Sequence, residues 1–298
     1  MSDTEKYINP FIDFGFKKIF GEEPNKDLLL DSLKEEQGQI TGITYLKNES
    51  LGANQADRKA IFDLYCIDEG GERFIVELQR TAQKYFKDRL VYYATLPITE
   101  QAKQGDWNFE LKAVYVIAIL DFVFDEGKAA PTKYRYDAKL TEINDCQVFY
   151  NKLYFIYLEM PKFNKRLEEL GSHFEQWMYV LKHLNKLERI PGALQERIFE
   201  RLFEVAELAK LPTEQARNYQ ESMKHYRDIK NSLDTAEEKG REEGIEKGRE
   251  EGLKEGIEKG IQQEKLFIAQ QMLQEGLDVG LIARLTGLNL QQIRQLKP

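Results

Sequence analysis

Two cysteines in 298 residues, Cys66 and Cys146, leave no basis for a disulfide framework, and neither has a second cysteine or a histidine at zinc-ligand spacing. The three histidines, His173, His183 and His225, are scattered as well, so a His-rich metal centre is excluded. No Gly-rich phosphate loop and no nucleophile elbow occurs. Long hydrophobic runs are lacking too. The longest, Ala113 to Leu120, falls far short of the ~20 residues needed to span a bilayer, and the opening MSDTEKYINP has no apolar stretch behind a positive cluster. A reducing cytoplasm without export or membrane anchoring is the expectation. Finally, there is no excess of positive charge. At a net charge of −8, coating nucleic acid through bulk electrostatics is disfavoured, so any such contact requires a local basic surface.

What is present is a globular composition with an unusually charged C-terminal part; 32% charged residues against the usual ~25% points to long solvated helices. Apolar residues recur at helical spacing from Asp13 to Glu36, interrupted near Gly21 to Pro24, which predicts two consecutive helical pieces. Three strand-like runs follow, Ile40 to Lys47, Arg58 to Ile67 and Arg73 to Arg80, the last two forming a hairpin around Gly70 and Gly71. Lys84 to Gln104 reads as a helix, Leu111 to Phe124 as a buried strand leading into an acidic loop, and Gln147 to Leu158 as one more strand. From Asn164 to Ala236 the spacing is helical, with breaks at Gly171, Pro191-Gly192 and Pro212.

Between Gly240 and Gly260 a glycine returns every fourth residue within a charged segment. Six helical glycines would cost roughly 6 kcal/mol relative to alanine. Two readings are open: a flexible charged tether, or a helix whose glycine ridge admits a partner backbone beside Ile245, Leu253, Ile257 and Ile261, which would make the tail a homo-oligomer contact. Beyond it, Leu277 to Leu296 resembles a helix-turn-helix, with Ile282, Ala283, Leu288, Ile293 and Leu296 inside, Gly287 in the turn, and Glu264 to Gln274 as a third helix. That arrangement exposes Asn289, Gln291, Gln292, Arg294 and Gln295 for base-edge and phosphate contacts; a small docking or oligomerisation module is the alternative.

The chemistry lies in the hairpin. In KAIFDLYCI, period-two alternation sets Ile61, Asp63 and Tyr65 on one face and Phe62, Leu64 and Cys66 on the other. In FIVELQR, Glu77 and Gln79 share a face opposite Phe74, Val76 and Leu78. If the hairpin closes through Glu69, Gly70 and Gly71, Asp63 falls across from Glu77. Cross-strand carboxylates ~5 Å apart repel unless one is protonated or a cation lies between them, and an oxygen-only donor set suits Mg²⁺ or Mn²⁺. Ion pairing of Asp63 and Glu77 with Arg58, Arg73 or Arg80 is the structural alternative. Downstream, Arg80, Lys84, Lys87 and Arg89 crowd one stretch beside Tyr85, Tyr92 and Tyr93, as a phosphate-contacting helix with stacking rings would, or as a solvated helix with core aromatics.

Asp63, thirteen intervening residues, and Glu77-x-Gln79 match the D…ExQ form of the PD-(D/E)XK motif. With DFGFKKIFG, DRKAIFDLYC, IVELQR, the helix containing DRLVYY and Gln101, and the strand before LDF, residues 5 to 163 resemble the recombination-promoting nuclease and transposase family, which also carries such a tail. The resemblance implies an α/β fold with a restriction-endonuclease-like αβββαβ core, appended helices and a small helical C-terminal module. The implied divisions are 1–163 (nuclease core), 164–236 (helical extension), 237–263 (connector) and 264–298 (C-terminal module). It further implies Asp63 and Glu77 as ligands of Mg²⁺ or Mn²⁺, with Gln79 in the place usually held by a lysine; a neutral amide orients water but supplies no charge. Asp13 would correspond to the acidic residue on the first helix, or cap that helix, and Lys17 would contact phosphate. The implied function is a metal-dependent DNA endonuclease linked to recombination or mobile elements. A nuclease-fold protein that binds nucleic acid without cutting it is the competing class.

Overall fold

The computed structural model describes residues 5–37, 40, 42–47, 49–50, 60–102 and 108–296. The chain divides between Tyr226 and Arg227 into two compact units. In the first, α1 (Asp13–Phe20) and α2 (Lys26–Gln37) are separated by a 3-10 turn at Glu23–Asn25, where the Gly21 to Pro24 interruption was expected. Strands β1 (Ile43–Tyr45), β2 (Glu49–Ser50), β3 (Ala60–Ile61), β4 (Leu64–Asp68) and β5 (Arg73–Gln79) come next. They are followed by α3 (Phe86–Thr99), β6 (Val114–Leu120), β7 (Arg135–Thr141) and β8 (Val148–Glu159). Helices α4 (His173–His183) and α5 (Arg197–Ala206) lead into α6 (Thr213–Gln274).

One six-stranded sheet runs in the order β1-β4-β5-β6-β8-β7, with β1, β4 and β5 antiparallel and β5, β6 and β8 parallel. This is the expected α/β order: helix, three antiparallel strands, helix, parallel strand. Because β6 (VYVIAIL) is buried on both faces, it reads as a continuous apolar run without alternation. One face, through Leu64, Val76 and Ile117, packs on a core fed by α1, α2, α4, α5 and the start of α6; the other, through Ile75, Val116 and Ala118, packs on α3. Gln101, just past α3, donates to the Pro97 carbonyl and accepts from the Lys112 N–H (2.7 Å), tying the helix end to the entry of β6.

Two expectations are corrected. The segment read as an acidic loop before the last strand contains β7, an edge strand with no fully buried residue, held by pairing along β8. The run from Arg58 to Ile67 is not one alternating strand: Arg58 lies outside the described residues, and the ladder breaks at Phe62 and Asp63, between β3 and β4. Phe62 therefore joins Tyr65 on the α3 side, ring centroids 5.4 Å apart, instead of lying opposite it.

In the second unit the glycine-rich segment is helical throughout, as part of α6. Glu, Lys and Arg fill the positions between the glycines, with pairs such as Lys259–Glu255 at 3.0 Å on the helix surface. Helices α7 (Val279–Thr286) and α8 (Leu290–Gln295) close a small core of Ala269, Ile282, Leu288 and Ile293. Gly287 ends α7 at φ +72°, a left-handed cap that glycine adopts without strain. Among the described residues no helix is long and apolar enough to cross a membrane.

Candidate nuclease site

The β4–β5 hairpin turns at Asp68–Gly71, with Gly71 at φ +85°, and pairs Leu64 with Val76 and Tyr65 with Ile75. That register carries Asp63 up to Glu77. At Asp63 the ladder passes from backbone to side chains: the Leu78 N–H donates to Asp63 Oδ2 (2.7 Å), and the Asp63 N–H donates to Glu77 Oε1 (3.2 Å). Each carboxylate thus accepts an N–H from the opposing strand, which fixes both at the end of the hairpin.

Glu77 is only 5% exposed. Burial and the neighbouring Asp63 charge push its pKa from 4.5 up to about 8, against the Asp63 N–H and the charges of Arg89 and Lys17. The Asp63 pKa is also raised, mainly by burial and further by Asp13, while the Leu78 N–H, Lys17 and Arg80 oppose the rise. A buried and a half-buried carboxylate that resist ionising together form an oxygen donor set suited to a hard divalent cation. Among the described residues no three His, Cys, Asp or Glu side chains gather as a ready-made cage, so remaining ligands would come from backbone carbonyl, water and substrate phosphate.

The surrounding predicted residues fall into three groups. Asp13 and Lys17 lie on α1, ion-paired to each other at 2.8 Å and near enough to Asp63 to act on its charge. The N-cap of α1 is Ile12, so Asp13 does not serve as the cap. Arg80 is half-buried with its guanidinium over the Tyr226 ring, 5.7 Å from the centroid. Gln79 donates to the Thr81 carbonyl (2.8 Å) and accepts from Arg89 Nη2 (2.5 Å), so the amide is engaged at both ends. Lys84 lies just ahead of α3, exposed near the Tyr85 ring, and Lys87 is in its first turn, paired with Glu126 at 2.9 Å. Tyr85 and Tyr92 are exposed, whereas Tyr93 is half-buried, edge-on to Phe62 at 5.0 Å. Gln291 and Arg294 belong to the C-terminal unit and are exposed on α8, while Asn289 and Gln292 form the capping box of that helix.

Sequence reasoning missed the Gln79–Arg89 bond and the packing of Tyr226 on Arg80. A signal for the first existed: Arg89 lies three residues after Phe86 and four before Tyr93, which sets all three on one helical stripe.

A family described as PD-(D/E)XK nuclease family transposase matches residues 10–236, and one described as Rpn/YhgA-like nuclease family, C-terminal HTH domain, matches residues 262–298. No curated protein and no solved structure matches the chain. Since the first match covers most of the 298 residues, including both carboxylates at the hairpin end, the chain belongs to the PD-(D/E)XK nuclease family transposases.

Proposed function

We propose that the first unit is a divalent-metal-dependent DNA endonuclease that hydrolyses phosphodiester bonds, serving recombination or mobile elements. The observation that carries this is the pairing of half-buried Asp63 with buried Glu77 at the end of the β4–β5 ladder, each accepting an N–H from across the hairpin. These two side chains would hold Mg²⁺ or Mn²⁺. A bound ion of this kind supplies Lewis-acid polarisation of a phosphate and a water activated at neutral pH.

The chain's own residues do the rest. The Leu78 N–H keeps the Asp63 carboxylate aimed into the site and partly offsets its charge. Lys17 and Arg80 offset negative charge from the α1 side and from the strand end, where a phosphodiester would enter, and Asp13 holds the Lys17 ammonium in place. Lys84 and Lys87 extend the cationic surface along the start of α3, and Tyr85 offers a face for stacking. The helix-turn-helix presents Gln291 and Arg294 to DNA, so cutting and DNA recognition lie in separate units.

Incubation of supercoiled plasmid with the full-length chain and Mg²⁺ or Mn²⁺ tests the proposal, with Asp63→Ala and EDTA as controls. Cleavage lost in both controls is the expected result. Wild-type protein that binds DNA but leaves it intact would overturn the nuclease reading in favour of a binding protein.

A further inference from the structure

The superfamily motif places a lysine where this chain has Gln79, and the amide brings no charge. Its carbonyl oxygen already accepts from Arg89 Nη2 at 2.5 Å and its Nε2 donates to the Thr81 carbonyl at 2.8 Å. Gln79 is therefore built as a clamp on a guanidinium. Arg89 is fixed on its other sides as well: Nη1 donates to Gln83 Oε1 (2.8 Å), and the guanidinium lies 5.0 Å from the Phe86 ring centroid and 5.8 Å from that of Tyr93. Its Nε is buried without a hydrogen-bond partner. Among the described residues no carboxylate forms an ion pair with Arg89. Lys17, by contrast, is paired with Asp13.

A half-buried guanidinium held by a strand amide, the Gln83 amide just ahead of α3 and two rings is poorly suited to following a mobile DNA backbone. It is well suited to presenting a fixed positive charge to the strand face that Gln79 shares with Glu77, a carboxylate on which the Arg89 charge already acts. We infer that Arg89 supplies, from α3, the positive charge that a lysine at position 79 would have supplied from β5, and that Gln79 is the positioning residue that aims it. This rests on the nuclease reading. It assigns Arg89 to stabilising charge at the reacting phosphate and not to gripping the DNA backbone.

Moving the charge back tests the inference. Full-length wild type, Arg89→Met, Gln79→Lys and the double variant Gln79→Lys/Arg89→Met are compared in plasmid cleavage with Mn²⁺. Duplex affinity in Ca²⁺ and thermal melting are measured alongside. Arg89→Met is expected to slow cleavage about 100-fold, while duplex affinity stays within about threefold. The double variant is expected to recover at least about tenfold of the loss. Affinity falling in parallel with rate would make Arg89 a phosphate anchor and overturn the inference. A lowered Tm with no rescue by Gln79→Lys would make Arg89 a packing residue and overturn it equally. If wild type cuts and Arg89→Met cuts equally well, the inference alone fails; if wild type binds duplex and never cuts, the nuclease reading fails and takes the inference with it.

Discussion

Replacing Glu77 with Gln tests the electrostatics of the site through stability, with no need for a substrate. Because the folded pKa of Glu77 is raised from 4.5 to about 8, the folded chain holds a proton that the unfolded chain has released over that interval. A raised carboxylate has this sign: its contribution is intact below the unfolded value and is lost as pH rises toward the folded one. At 1.36 kcal/mol per pH unit, the loss between pH 6 and pH 8 comes to ~2 kcal/mol. For a domain of this size that lowers Tm by ~4–8 °C. Glutamine keeps an oxygen for the Asp63 N–H, so the hydrogen bond survives while the titration disappears. Wild type and Glu77→Gln should be melted by differential scanning fluorimetry in EDTA at pH 6, 7 and 8. The difference between the two slopes reads out Glu77 together with Asp63, whose charge acts on it, and cancels the groups common to both chains. A flatter profile for Glu77→Gln is expected, and, with Mn²⁺ in place of EDTA, a larger rise in Tm for wild type at pH 8. Parallel slopes would refute the reasoning.

Two further outcomes follow from packing. Asp31 is buried, accepts from the Trp177 indole N–H (3.0 Å) and contacts His173 Nε2 (2.5 Å), so Asp31→Ala should cost ~1–3 kcal/mol by removing that acceptor and leaving the indole N–H only its longer contact to His173 Nε2 (3.2 Å). Asp31→Asn, which retains an acceptor, should shift the urea midpoint less, and equal shifts would contradict this account. In α6, a Cβ added at Gly244 or Gly252 meets nothing within 4 Å, so each glycine-to-alanine change should stabilise the helix by ~1 kcal/mol, read as a higher thermal midpoint by circular dichroism. A lower midpoint, or an altered oligomeric state on gel filtration, would show that these glycines face another helix.

The parts of the fold legible in the sequence are those where burial imposes a period. Leu28, Leu29 and Leu33 mark α2, the apolar run from Val114 to Leu120 marks β6, and the Gly70-Gly71 turn sets the β4–β5 register that brings Asp63 to Glu77. Strand β7 carries only a short alternation at Tyr136, Ala138 and Leu140, too weak to stand out because none of these is fully buried and the strand exists through its pairing with β8. The break at Phe62 and Asp63 was equally silent, since its cause is non-local: a side-chain oxygen satisfies the Leu78 N–H, fifteen residues away. The glycine-rich run left two readings open, and the structure realises the helical one. Propensity counted the cost of each glycine but could not decide between a tether and a helix. The role of Arg89 depended on an amide acceptor on a neighbouring strand, which helical spacing alone does not reveal.

The substitution of side-chain for backbone bonding at Asp63 bears on how such proteins change over time. Asp63 satisfies a strand N–H that would otherwise lose its partner, so an acid here contributes to folding whether or not the protein cuts anything. A descendant that abandoned catalysis would stay under pressure to keep Asp63 while Glu77, whose charge is a burden without a cation, was free to become neutral. Loss of the glutamate with retention of the aspartate would then be the mark left by a retired enzyme.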